Sequence, residues 1–97
     1  MQHALLLEFK VEGTNARTLY EAVNQELGLT EGQLPFGAIS HTAGMAETGE
    51  FIVVEVWETR EAQDEFMRLQ LAPALQKHGA PAPSRVVWID LYAHRHA

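Results

Sequence analysis

From Gly49 to Thr59 the chain reads GEFIVVEVWET, an apolar run of β-branched and aromatic residues interrupted only by Glu55. A strand with one wet face alternates apolar and polar residues. A run that is apolar on both parities belongs to a sheet covered on both faces. Successive side chains point to opposite faces, so Ile52, Val54 and Val56 form one set and Phe51, Val53, Glu55 and Trp57 the other. The first set is purely aliphatic. The second mixes rings with a carboxylate, and chemistry is expected on that side.

Other segments show the same two-sided character. His3 to Val11 reads as a first strand, with Leu5, Leu7 and Phe9 on one parity and Leu6 and Glu8 on the other. Ala16, Leu19, Tyr20, Val23 and Leu27 then recur at helical spacing, with Arg17, Glu21, Asn24 and Gln25 facing water. Thr14 or Asn15 is the expected cap of that helix and Gly28 its left-handed stop. Phe36 to Ala43 is a second strand whose Gly, Ser and Thr content suits a sheet edge. A hairpin over Gly44 to Gly49 leads into the opening run, and Thr59 caps a second helix with Ala62, Phe66 and Leu69 on its buried stripe. Pro73 lacks an amide proton, so a kink or a new short helix reaching Lys77 is expected there. Arg85 to Ala93 is the last strand, with Val87, Ile89 and Leu91 on one face and Val86, Trp88, Asp90 and Tyr92 on the other.

The order strand, helix, strand, strand, helix, strand is a split βαβ plan: a ferredoxin-like α+β fold with a four-stranded antiparallel sheet. Strands one and three are expected side by side in the centre and, in this reading, parallel, with four beside one and two beside three. Both helices cover one face, assigned to Leu5, Leu7, Phe9, Ile52, Val54, Val56, Val87, Ile89 and Leu91. The opposite face would then carry Leu6, Glu8, Phe51, Val53, Glu55, Trp57, Val86, Trp88, Asp90 and Tyr92. Buried rings cover about 150–250 Å² each, and exposed apolar patches above a few hundred Å² mark interfaces. A second copy of the chain is the simplest cover, giving a homodimeric α/β barrel around a shared or paired cavity.

Composition narrows the function classes. With 97 residues and 46% hydrophobic content, residues 1–97 read as one domain. Seven basic residues against 13 acidic ones leave no stripe to neutralise phosphates, so no nucleic-acid partner is expected. The chain has no cysteine, hence no disulfide, thiol nucleophile or thiolate metal site, which fits a cytoplasmic protein. Ala4 to Leu7 is too short an apolar run for a membrane span or a signal peptide. There is no phosphate loop, dinucleotide fingerprint or nucleophile motif.

The stretch HTAGMAETGEFIVVEVWETREAQDEF resembles small bacterial members of the dimeric α/β-barrel superfamily, the group around antibiotic-biosynthesis monooxygenases. The matching residues are His41, Gly44, Glu55, Val56, Trp57, Glu58 and Thr59, with Leu71 to Leu75 resembling the kink in the family's second helix. The resemblance implies the fold and the dimer, and a small apolar or aromatic molecule is expected to bind in the cavity between sheet and helices. Its activities range from cofactor-independent oxygenation of phenols and quinols to haem degradation, isomerisation and none known. Tyr92 stands roughly where relatives often carry a His. The haem-degrading branch uses an Asn on the first strand and a His on the second helix. Glu8, and His78 only at the helix end, stand in those places, so no cofactor is expected.

His41 is the first catalytic candidate, because a neutral imidazole near pH 7 can take a phenolic proton. Its parity depends on whether the second strand bulges. Glu55 and Asp90 are candidate orienting or proton-relay groups, and Glu8 shares their predicted face; carboxylates in an apolar cavity gain proton affinity. An ion pair with Lys10, an Arg or a dimer-mate group is the structural alternative for all three. Phe36, Phe51, Trp57, Trp88 and Tyr92 are candidate walls of a substrate pocket, or simply dimer core. His3, His94 and His96 do not share one face, and no metal site is expected.

Overall fold

The computed structural model describes residues 2–30 and 32–95. Its elements are β1 (His3–Phe9), α1 (Gly13–Leu27), β2 (Ala38–Met45), β3 (Phe51–Trp57), α2 (Arg60–Phe66), a π turn (Met67–Leu71), α3 (Ala72–Lys77) and β4 (Arg85–Asp90). The strands form one sheet in the order β2-β3-β1-β4, and every neighbouring pair is antiparallel. This is the ferredoxin-like α+β arrangement, with the expected neighbours.

The expected parallel pairing of β1 and β3 does not occur. A tight hairpin, with Ala46 N–H donating to Glu50 O (2.8 Å) and Gly49 N–H to Ala46 O (2.9 Å), sends β3 back along β2. The α1 crossover has already returned β2 to the direction of β1. β3 must therefore oppose both.

The helices stop and start for local reasons. Glu12 is the N-cap of α1, its carbonyl accepting from the amides of Asn15 (2.9 Å) and Ala16 (2.8 Å), so the helix begins ahead of the expected caps Thr14 and Asn15. Gly28 closes it at φ 71°, and Leu29 N–H reaches back to Asn24 O at 2.9 Å. Thr59 Oγ1 accepts from Ala62 N–H at 3.1 Å, as a capping threonine should.

Pro73 lies in the first turn of the expected short helix, α3, which ends at Lys77. Ahead of it the helix widens into the π turn, where Ala72 N–H bonds to Met67 O, five residues back. The wider turn rotates the apolar stripe. Leu69, expected inside, is 57% exposed, while Leu71, Ala74 and Leu75 take over the inward face.

Register fixes the faces of the sheet, and it reverses the expectation for two strands. Leu5 lies opposite Glu55, Leu7 opposite Val53 and Phe9 opposite Phe51, so these residues share the helix side with Trp57. Val86, Trp88 and Asp90 fall on that side through β1. Leu6, Glu8, Ile52, Val54, Val56, Val87 and Ile89 form the face away from the helices. β3 is apolar on both parities, so alternation alone cannot choose. The larger rings of Phe51 and Trp57 go where a sheet and two helices leave a deep gap to fill. Two of the aromatic residues expected at a barrel interface, Phe51 and Trp57, are thus core, with Trp57 fully buried beside Leu5 and Leu7. The outward face stays apolar, but with aliphatic residues.

Candidate active site

Two of the residues singled out in the sequence meet beneath α1. One residue too many in β2, between Ala38 and Ser40, breaks the pairing register with β3. This bulge puts His41 directly opposite Glu55 on the helix side. His41 Nδ1 lies 2.8 Å from Glu55 Oε2, and Trp57 Nε1–H donates to Glu55 Oε1 at 3.1 Å. Glu55 is 6% exposed, and both its oxygens are occupied.

The chain of hydrogen bonds continues on the other side of the imidazole. Tyr20, on α1, brings its hydroxyl to 2.5 Å from His41 Nε2, and the two rings stack at 5.8 Å with 18° between their planes. A carboxylate facing Nδ1 requires a proton on that nitrogen. Nε2 then holds the lone pair and accepts from the Tyr20 hydroxyl. The arrangement is a base held by an orienting carboxylate, the general geometry of a proton-abstracting site.

This polar corner opens on a cavity of about 230 Å³ between sheet and helices. Its walls are mostly aliphatic and aromatic, including Leu7, Val23, Phe51 and Leu71, and Tyr20, His41 and Glu55 all reach it. The loop over Gly32 to Pro35 and the connector at Ala80 and Pro81 complete the lining. The chamber therefore lies within one chain. This is the expected ligand cavity between sheet and helices. A dry cavity of roughly 150 Å³ admits benzene, so this one has room for a substituted ring or a compact fused pair.

The remaining candidates lie elsewhere. Asp90 sits two strands across and one row along from Glu55, opposite His3, whose Nδ1 is 3.0 Å from its carboxylate. Its side chain is 68% exposed, so it takes no part in the cavity. Glu8 is on the outward face, opposite Ile52 and Arg85. Trp88 lies under the Arg60 guanidinium, 4.7 Å from the ring centre, and edge-on to His3, away from the chamber. Tyr92 follows β4 and is fully exposed. Phe51 lines the cavity; Trp57 supports it from below through Glu55. His96 lies outside the described residues, and among the described residues no three His, Cys, Asp or Glu side chains gather as metal ligands would.

Two cavity residues carry no clear mark in the sequence. Tyr20 reads as one more member of the apolar stripe, although a hydroxyl on a buried stripe usually has a polar partner. Asn24 reads as a water-facing residue, yet it is half-buried and lines the cavity one helical turn from Tyr20. The wide inward face of α1 explains this: both positions flank the stripe rather than oppose it.

The fold and its buried polar corner define a ferredoxin-like α+β protein with an internal chamber. The sequence matches no protein-family model and no curated protein. Solved structures do match along nearly the whole chain. A candidate antibiotic biosynthesis monooxygenase from Chloroflexus aurantiacus J-10-fl superposes with a TM-score of 0.71 at 14% identity, covering 99% of this chain and 98% of that one. A point mutant of the cofactor-independent oxygenase SnoaB from Streptomyces nogalater gives 0.67 at 11% identity over 96% and 95%. NE2512, a protein of unknown function from Nitrosomonas europaea, gives 0.71 at 17% identity over 99% and 94%. The resemblance drawn from His41, Gly44 and Glu55 to Thr59 is thus met at the level of fold.

Proposed function

We propose that the chain binds a small hydroxyaromatic molecule in the chamber beneath α1 and that His41 takes its proton. The observation that carries this reading is the continuous hydrogen-bonded chain from Trp57 through Glu55 and His41 to Tyr20, which ends at an apolar cavity. Glu55 holds the imidazole with Nε2 aimed at the chamber. An incoming hydroxyl either displaces Tyr20 from Nε2 or passes its proton through the Tyr20 oxygen. The apolar walls keep bulk water from the anion that results.

In its enzymatic form the reaction is a cofactor-independent oxygenation. Loss of a proton leaves an electron-rich substrate that itself reduces dioxygen. A ring C–H ortho or para to the hydroxyl becomes a carbonyl and the hydroxyl-bearing carbon a second one; one atom of dioxygen enters the product, and the other leaves as water with that hydrogen and the proton taken by His41. No step requires a bound metal or organic cofactor. SnoaB, described as a cofactor-independent oxygenase, shares the fold, and this supports the reading without fixing the substrate. Haem degradation, the other chemistry weighed, has less support: Glu8 points away from the cavity, and His78 pairs with Glu26 at the helix end.

Binding without turnover is the second reading, favoured by the Tyr20 hydroxyl already occupying Nε2. The test separates the two. Wild type and His41→Ala are presented with phenols and quinols under air, following both binding and oxygen uptake. Turnover lost in His41→Ala supports the enzyme; binding with no uptake by either protein supports the binder. Unchanged turnover of every responsive substrate removes His41 as base.

A homodimer belongs to the same proposal. Leu6, Ile52, Val54, Val87 and Ile89 leave the outward face of the sheet apolar, with Val54 and Ile89 exposed. A second copy laid face to face would cover it. Among the described residues no helix is long and apolar enough to cross a membrane. A cytoplasmic location is part of the proposal.

A further inference from the structure

The cavity wall carries few polar side chains, and all but one are engaged. Glu55 is shared by His41 and Trp57, and His41 by Glu55 and Tyr20. Gln33 turns its amide nitrogen onto the carbonyl oxygens of Gly28 (2.8 Å) and Thr30 (3.0 Å) in its own loop. Asn24 is the exception. It is half-buried in the wall, and its side-chain amide makes no hydrogen bond with any described residue. An amide offers two donors and an acceptor, which this wall leaves open to water or a ligand and which a leucine would do without. Leucine is also the better helix former at such a site.

Position gives that idle amide a meaning. Asn24 follows Tyr20 by four residues, so the two project from the same side of α1 with Cβ atoms about 5–6 Å apart. The chamber thus has two polar residues along one wall, with apolar surface around them. We infer that Asn24 determines specificity by hydrogen-bonding a second oxygen of the ligand. That oxygen is a carbonyl or hydroxyl carried across the ring from the hydroxyl that meets Tyr20 and His41. The ligand class is then a small hydroxyaryl ketone or dihydroxyaromatic rather than a simple phenol. This inference takes its ligand pose from the proposed function.

A matched pair of probes tests it. 4-Hydroxyacetophenone carries the second oxygen, and 4-isopropylphenol has the same outline without it. Both are titrated calorimetrically into wild type, Asn24→Leu and His41→Phe. Asn24→Leu is expected to weaken the ketone by about 3- to 10-fold, the range of one hydrogen bond. It leaves the isopropylphenol unchanged or tighter, and its thermal midpoint is not lowered. Asn24→Asp, which offers a carbonyl only acceptors, gives the same selective loss should the leucine variant fold poorly. Equal effects on the two probes overturn the role of Asn24. If His41→Phe weakens both probes while Asn24→Leu shows no selectivity, this inference alone fails. If Asn24→Leu is selective while His41→Phe changes nothing, the proton-accepting role fails and the Asn24 contact stands. Failure of wild type to bind either probe sinks both.

Discussion

Glu55 holds more of the site than any neighbour, because one buried carboxylate fixes both a tryptophan and a histidine. Glu55→Gln replaces an acceptor by a donor between Trp57 Nε1–H and His41 Nδ1–H, so one of these is left without a partner. The expected cost is about 1–3 kcal/mol, measured by denaturant unfolding. The ring nitrogens of His41 should also lose their fixed tautomer, visible in nitrogen chemical shifts. A Glu55→Gln protein with unchanged stability and unchanged His41 signals would contradict the contact. Glu55 is conspicuous in the sequence because a carboxylate inside an apolar strand needs a reason. Asp90 and Glu8 look equivalent to it by alternation alone, but the pairing register sends one to the sheet end beside His3 and the other to the far face. Tyr20 and Asn24 carry no such signal, since a tyrosine on an apolar stripe and an asparagine beside one are compatible with ordinary packing.

Small backbone irregularities in the elements place the site. The β2 bulge turns His41 inward, and Gly37, just ahead of β2, lets α2 approach: its φ is 88°, and a Cβ there would stand 2.7 Å from the Ala62 Cβ. Gly37→Ala therefore combines left-handed strain with a clash. A loss of about 2 kcal/mol or more is expected in denaturant unfolding. The π turn gives Pro73 room that a regular turn would deny it, because a proline ring clashes with the carbonyl four residues earlier, here that of Leu69. The irregularity at Pro73 is legible from its missing amide proton. The extra residue upstream is not, and so the sequence puts Leu69 on the buried stripe when it faces water.

Glu26 ties the ends of α1 and α3, with Lys77 Nζ at 3.0 Å and His78 Nε2 at 3.4 Å. The hydrogen bond from Lys77, then that from His78, holds its carboxyl below the ordinary 4.5. A lowered carboxylate contributes stability above its ordinary value and loses it as pH falls through the lowered one. Glu26→Gln should thus shrink the stability difference between neutral pH and pH below 4.5, with little effect on the acid-denatured limit. An unchanged pH profile would leave the link without weight.

Across the molecule, the order of elements and the neighbours in the sheet follow from period changes and connection lengths, which act along the chain. Face assignment depends on contacts between strands, and a segment apolar on both sides withholds it. The outward aliphatic face gives its own prediction. Wild type should sediment at twice 10.8 kDa at micromolar concentration, and Val54→Lys should sediment at 10.8 kDa while remaining folded. A wild-type monomer would dismiss the pairing but leave the chamber intact, since one chain supplies its walls. The chamber's chemistry is tested most directly by 4-nitrophenol, whose anion absorbs visibly, titrated on the acid side of its own ionisation midpoint. Wild type should raise the phenolate band on binding, and His41→Phe should bind the dye without raising it. Equal bands from both proteins, or no band from wild type, would contradict proton transfer to His41.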